Sequence, residues 1–72
     1  PRTFDVVVAL PDRPMELANL LGVFGRHAIN VRDIEVLKIR ETGGEAIRVG
    51  VGSSDDRERA LAVLAEAGYR AR

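Results

Sequence analysis

Seventy-two residues make one domain, residues 1–72, and a chain this short buries only about 60% of the surface its unfolded form exposes. Small domains usually add a disulfide, a metal or a partner. With no cysteine in the chain, disulfides and thiolate metal sites are excluded, which leaves a partner subunit or the rest of a longer polypeptide. The start at Pro1 fits a fragment cut from something bigger, and a trimmed chain explains it equally well. Eleven basic and eleven acidic residues, intermixed along the chain, lack the basic footprint of nucleic-acid binding. No apolar run is long enough for a membrane span and no signal peptide opens the chain, so a globular cytoplasmic domain is expected.

Thr3 to Leu10 alternates, with Phe4, Val6, Val8 and Leu10 on one face and Thr3, Asp5, Val7 and Ala9 on the other. Period two with β-branched residues predicts a strand covered on one side. Pro11-Asp12-Arg13-Pro14 breaks it, and Pro14 suits the first turn of a helix, where a missing N–H costs nothing. A helix is predicted over Met15 to His27, its apolar stripe formed by Leu17, Leu20, Leu21, Phe24 and Ala28. Gly22 and Gly25 weaken it by up to about 1 kcal/mol each relative to alanine, as if something needed close approach there.

Ile29 to Arg40 is predicted as the second strand. Ile29 and Val31 share one phase, Ile34 and Val36 the other, and Leu37 and Ile39 return to the first. Such a switch fits a bulge, a bend or a strand buried on both faces. Glu41-Thr42-Gly43-Gly44 reads as a hairpin turn. Glu45 to Val51 alternates, with Ile47, Val49 and Val51 set against Ala46, Arg48 and Gly50. Ser54 is the expected N-cap of a second helix, with Asp55, Asp56 and Glu58 in its first turn. Ala60, Leu61, Leu64 and Ala67 are its stripe, Val63 flanks it, and Gly68 ends it at C′. Tyr69 to Arg72 has room for a short last strand.

The order βαββαβ with right-handed crossovers gives an α+β, ferredoxin-like fold: a four-stranded antiparallel sheet, order 4-1-3-2, with two helices on one face. Leu20, Phe24, Val6, Val8, Ile47, Val49, Leu61 and Leu64 are the expected core. The second strand falls at an edge, and an edge rich in Val36, Leu37 and Ile39 invites a pairing partner.

Catalytic chemistry finds little support. One histidine, His27, is too few for a histidine metal site, and a lone histidine at a helix end is more often a capping or surface residue. Ser53 and Ser54 fit a helix start better than a nucleophile, and Asp55-Asp56 suit the helix dipole. The outer face of the central strands, with Thr3, Asp5, Ala46 and Arg48, lacks the aromatics that RNA-recognition domains stack on bases. No Cys-x-x-Cys serves a copper chaperone, and no Gly-rich first loop serves an acylphosphatase. No cofactor and no enzymatic activity are expected of the domain itself.

Leu10-Pro11-Asp12-Arg13-Pro14-Met15-Glu16-Leu17 resembles the D-R-P-G-x-L signature that opens ACT domains. Ala28-Ile29-Asn30-Val31-Arg32-Asp33-Ile34 is similar to the I-N-I-x-x-I start of that family's second strand. Length, element order and the Gly-Gly hairpin also match, so the resemblance covers essentially the whole chain. Ile34 to Glu41, the hairpin and Ser54 to Ala60 look most like the C-terminal ACT domain of bacterial prephenate dehydrogenases, NAD-dependent oxidoreductases of tyrosine biosynthesis. ACT tails of phosphoglycerate dehydrogenase, acetolactate synthase and threonine dehydratase share the generic pattern.

The resemblance implies a regulatory domain that senses an amino acid, tyrosine or phenylalanine before others, between subunits of a homodimer joined through the second strand and first helix. Carried over residue by residue, the ligand-binding loop is Pro11, Asp12, Arg13, Pro14 and Met15, facing Ile29, Asn30 and Val31 of the other subunit. Asp12 would meet an ammonium group or cap the helix, and Asn30 offers both donor and acceptor. Met15 replaces the family's usual glycine. It reads equally as a pocket wall and as a helix-start residue tucked onto the core, and its bulk leaves open a dimerisation module without a ligand.

Overall fold

The computed structural model describes residues 4–39 and 44–72. Its elements are β1 (Phe4–Pro11), α1 (Glu16–Arg26), β2 (Asp33–Ile39), β3 (Gly44–Val51), α2 (Ser54–Glu66) and β4 (Arg70–Ala71). The strands form one antiparallel sheet in the order β2-β3-β1-β4, the expected order read from the other edge. The predicted turn residues Glu41, Thr42 and Gly43, with Thr3 and Arg40, lie outside the described residues.

Alternation in β1 and β3 does what period two requires. Val6 pairs with Val49 and Val8 with Ile47, so these side chains share one face. Together with Leu10 and Val51 they are buried beneath Leu20, Val23 and Phe24 of α1 and Ala60 and Leu64 of α2. Leu61, half-buried, packs against this cluster instead of lying within it. Val23 was absent from the expected stripe, whereas Ala28 and Ala67 are exposed. Both alanines sit where their helix has already ended, so the helical period no longer places them.

The second strand begins at Asp33, not Ile29. Ile29 is in the core, and only from Arg32, whose N–H donates to Gly50 O at 2.8 Å, does the chain join the sheet. The register from Asp33↔Gly50 to Ile39↔Gly44 is unbroken, so the phase switch is no bulge. It marks the join between a buried connector and an edge strand. Ile34, Val36 and Leu37 on that edge are 38%, 44% and 44% exposed.

Helix ends differ from expectation by a residue or so. Met15, the residue before α1, has φ 71, and Pro14 lies in the preceding turn, outside the helix. Ser53, not Ser54, caps α2: its Oγ accepts from Asp56 N–H at 3.0 Å. A methyl group added at Gly25 would meet nothing within 4 Å, and one at Gly22 only the mobile end of Arg26 at 3.2 Å. Neither glycine serves a close approach within the fold.

Candidate ligand-binding site

β1 delivers the loop from Pro11, which pairs with Gly44. Arg13 N–H donates to Pro11 O at 3.0 Å, turning the chain sharply. The Arg13 guanidinium closes back on Glu16, with Nε and Nη2 donating to Oε2 at 3.1 and 2.8 Å. Being largely exposed, this pair orders the loop more than it stabilises the domain. Asp12 is exposed and does not cap α1, which has no side-chain cap. The carbonyl of Met15 starts the helix by accepting from Asn19 N–H at 2.9 Å. Its side chain is 66% exposed, not tucked onto the core.

The backbone angle at Met15 explains why glycine suits this position. Left-handed φ costs a residue with a Cβ roughly 1–2 kcal/mol, and glycine nothing. The loop keeps its left-handed turn although methionine occupies it.

The second half of the expected site follows α1. Ala28 is also left-handed, at φ 55, and directs the chain so that Ile29 is buried, Asn30 exposed and Val31 half-buried. The side chain of Ile29 therefore belongs to the core, and Asn30 is the polar group this segment presents to solvent. Arg59 of α2 fixes the segment from outside by donating to His27 O at 2.6 Å.

Within one chain the two halves stand apart. Pairing places Pro11 level with Gly44 and Ile39 at one end of the sheet, and Asp33 level with Gly50 and Asp5 at the other. Between the loop and Asn30 runs the 11-residue α1, about 16 Å long at 1.5 Å per residue.

The open face of the sheet carries a cluster that sequence reading left unpaired. Arg48 on β3 meets Asp33 at 2.6 Å, Glu35 at 3.0 Å and Asp5 at 3.1 Å. The hydrogen bond and then the charge of Arg48 hold the Asp33 carboxyl below the usual carboxylate range, and its partners raise Arg48 in turn. Beside the cluster, Val7, Ala9, Ala46, Arg70, Ala71 and Arg72 line a shallow hollow of about 340 Å³. Among the described residues no group of three or more metal-ligating side chains is placed to hold an ion, and no helix is long and apolar enough to cross a membrane.

The family model of the ACT domain matches residues 4–69. Prephenate dehydrogenase of Bacillus subtilis (strain 168) is 28% identical over 60 residues, which cover 83% of this chain and 16% of that protein. The crystal structure of the ACT domain of prephenate dehydrogenase from Bacillus anthracis superposes with a TM-score of 0.86 at 25% identity, covering 96% of this chain and 100% of that one. Formyltetrahydrofolate deformylase from Burkholderia mallei shares the fold alone, with a TM-score of 0.70 at 12% identity over 99% of this chain and 27% of its own. With the element order, the loop and a match over nearly the whole length in agreement, this chain belongs to the ACT domain family of small regulatory, non-catalytic domains.

Proposed function

We propose that the domain senses a free amino acid, tyrosine or phenylalanine in preference to serine or a branched-chain residue, and gives feedback control to a prephenate dehydrogenase of tyrosine biosynthesis. The carrying observation is the separation of the loop from Asn30 at opposite ends of α1. A two-fold axis beside β2 would run the two edge strands antiparallel. The loop of one copy would then approach Asn30 of the other, making two equivalent sites from two incomplete halves. The exposed Ile34, Val36 and Leu37 supply apolar surface for that contact. Helix-start N–H groups of α1, unmet by any side chain, suit the ligand carboxylate, and exposed Met15 forms an adaptable apolar wall for an aromatic side chain. Occupancy coupled to subunit contact would let the sensor move catalytic domains elsewhere in the polypeptide.

Thermal shift against an amino-acid panel tests this reading. An effector at one hundred times its dissociation constant adds about 2.7 kcal/mol per site, a rise of about 10–20 °C for a domain of this size. Asn30→Ala should shrink the rise and leave the dimer intact. The exposed bulk of Met15 where the family has glycine supports a second reading, a dimerisation module without a ligand. Binding by Met15→Gly alone would favour that reading for the native chain. Folded dimers of both forms that ignore every amino acid at millimolar concentration would end the sensor proposal.

A further inference from the structure

The open sheet face has two unlike halves. Cross-strand pairing lays out one row as Glu35, Arg48, Val7 and Arg72, and the next as Leu37, Ala46, Ala9 and Arg70. On the β2 side, Asp33 and Glu35 share one guanidinium and are each 54% exposed, while Leu37 projects into solvent. On the β4 side lie Arg70 and Arg72, whose side chains make no hydrogen bond or ion pair among the described residues, and the hollow they border. Between the halves are the small residues Ala9 and Ala46, which permit two sheets to approach to about 10 Å.

From this arrangement we infer that the open face is a second self-association surface, closed by another copy of this chain packed face to face. A two-fold axis lying between the sheets and parallel to the strands exchanges β2 with β4 and β3 with β1. It sets Glu35 of each copy against Arg72 of the other and Ala46 against Ala9. It also brings Leu37 over Arg70 at the rim of the partner's hollow, as a knob meets a hole. The alternative in-plane axis, across the strands, lays β2 on β2 and opposes like charges, which costs binding energy. Three strands about 24 Å long and the two-residue β4, spaced about 4.8 Å apart, offer roughly 380 Å² per copy. Two such faces bury roughly 760 Å², below the ~1,000 Å² of the smallest stable specific interfaces, so the contact is weak and concentration-dependent. It leaves the β2 edge free, and the two contacts together build a dimer of dimers.

Sedimentation of charge-reversed variants separates this contact from edge pairing. Val36→Lys puts a charge on the edge and on the helix side of the sheet, so it blocks strand pairing and spares the open face. At about 200 µM, in the range a small interface demands, the V36K chain should still form dimers. Adding Arg72→Glu should weaken them at least about tenfold, and Glu35→Arg on top of that should restore them to within about threefold. Leu37→Ala in the V36K chain, with every ion pair intact, should weaken them at least about fivefold, and it decides the matter if the double reversal does not fold. A monomeric V36K chain, dimers indifferent to R72E, or a double reversal no stronger than R72E overturns the inference. None of these results depends on whether an amino acid binds.

Discussion

At their C-termini the two helices close with the same pair of backbone hydrogen bonds. In α1, Ile29 N–H donates to Phe24 O at 2.9 Å and Ala28 N–H to Gly25 O at 3.1 Å. In α2, Tyr69 N–H donates to Leu64 O at 2.9 Å and Gly68 N–H to Ala65 O at 3.1 Å. This is the Schellman arrangement, which needs a left-handed residue at C′. That residue is Gly68 in α2 and Ala28 in α1. The N-termini diverge as well: Ser53 is extended and caps α2 with its hydroxyl, whereas Met15 is left-handed and caps nothing. So α2 has suitable residues at both ends, and α1 has a strained one at each. Backbone strain persists where the surroundings over-determine it and concentrates at ligand sites. Both strained residues flank the proposed half-sites, Met15 within the loop and Ala28 immediately before Ile29, Asn30 and Val31.

The largest losses of stability are expected beneath the two helices. Phe24 and Leu64 hold equivalent places in the two C-terminal motifs, and both are fully buried. Phe24→Ala should cost roughly 3–5 kcal/mol and Leu64→Ala roughly 2–5 kcal/mol in denaturant unfolding. A Phe24→Ala chain with an unchanged midpoint would show that α1 is not anchored there. Exchanging the C′ residues should then act with opposite signs. Gly68→Ala should destabilise by about 1–2 kcal/mol, and Ala28→Gly should stabilise by about 0.5–1 kcal/mol, because only a Cβ is disfavoured at positive φ. Equal signs would mean that the two ends are not conformationally alike.

At the other ends the asymmetry predicts a similar pair. Ser53→Ala loses the cap and should cost about 1 kcal/mol, while Met15→Gly should raise stability by about 0.5–1 kcal/mol in the absence of an amino acid. A loss on Met15→Gly would mean that the methionine side chain contributes contacts exceeding its backbone strain.

The smallest effect belongs to Asp33, outside both helices. Its folded carboxyl titrates lower than a free aspartate because Arg48 donates to it. The contribution is therefore present above the unfolded value near 3.8 and is lost as pH falls through the lower folded value. Exposure and salt keep it small. Melting curves between pH 5 and pH 2 should fall less steeply for Arg48→Gln than for the native chain; identical slopes would leave the cluster without a role in acid stability.

Local signals in the sequence determined much of this protein. Alternation in β1 and β3 reflects side chains that point to opposite faces of a strand, and the stripe from Leu17 to Phe24 reflects the 3.6-residue turn. Gly68 and the two serines at the start of α2 mark helix ends through chemistry confined to neighbouring residues. Those periods, with the handedness of crossovers, suffice for element order and strand order. The Pro11 to Met15 loop was legible as a candidate site because its motif is contiguous.

The features that depend on the packed fold are non-local. Nothing in the local pattern says that Ile29 leaves the sheet for the core, because a buried connector and a buried strand carry the same residues. The meeting of Arg48 with Asp5, Asp33 and Glu35 needs three strands in register, and the bond from Arg59 to His27 O joins residues 32 apart in the chain. The left-handed turns at Met15 and Ala28 were equally hidden from local propensity, since neither residue prefers that region. The predicted helix already put the loop and Asn30 at its two ends; strand pairing added that Pro11 and Asp33 lie at opposite ends of the sheet.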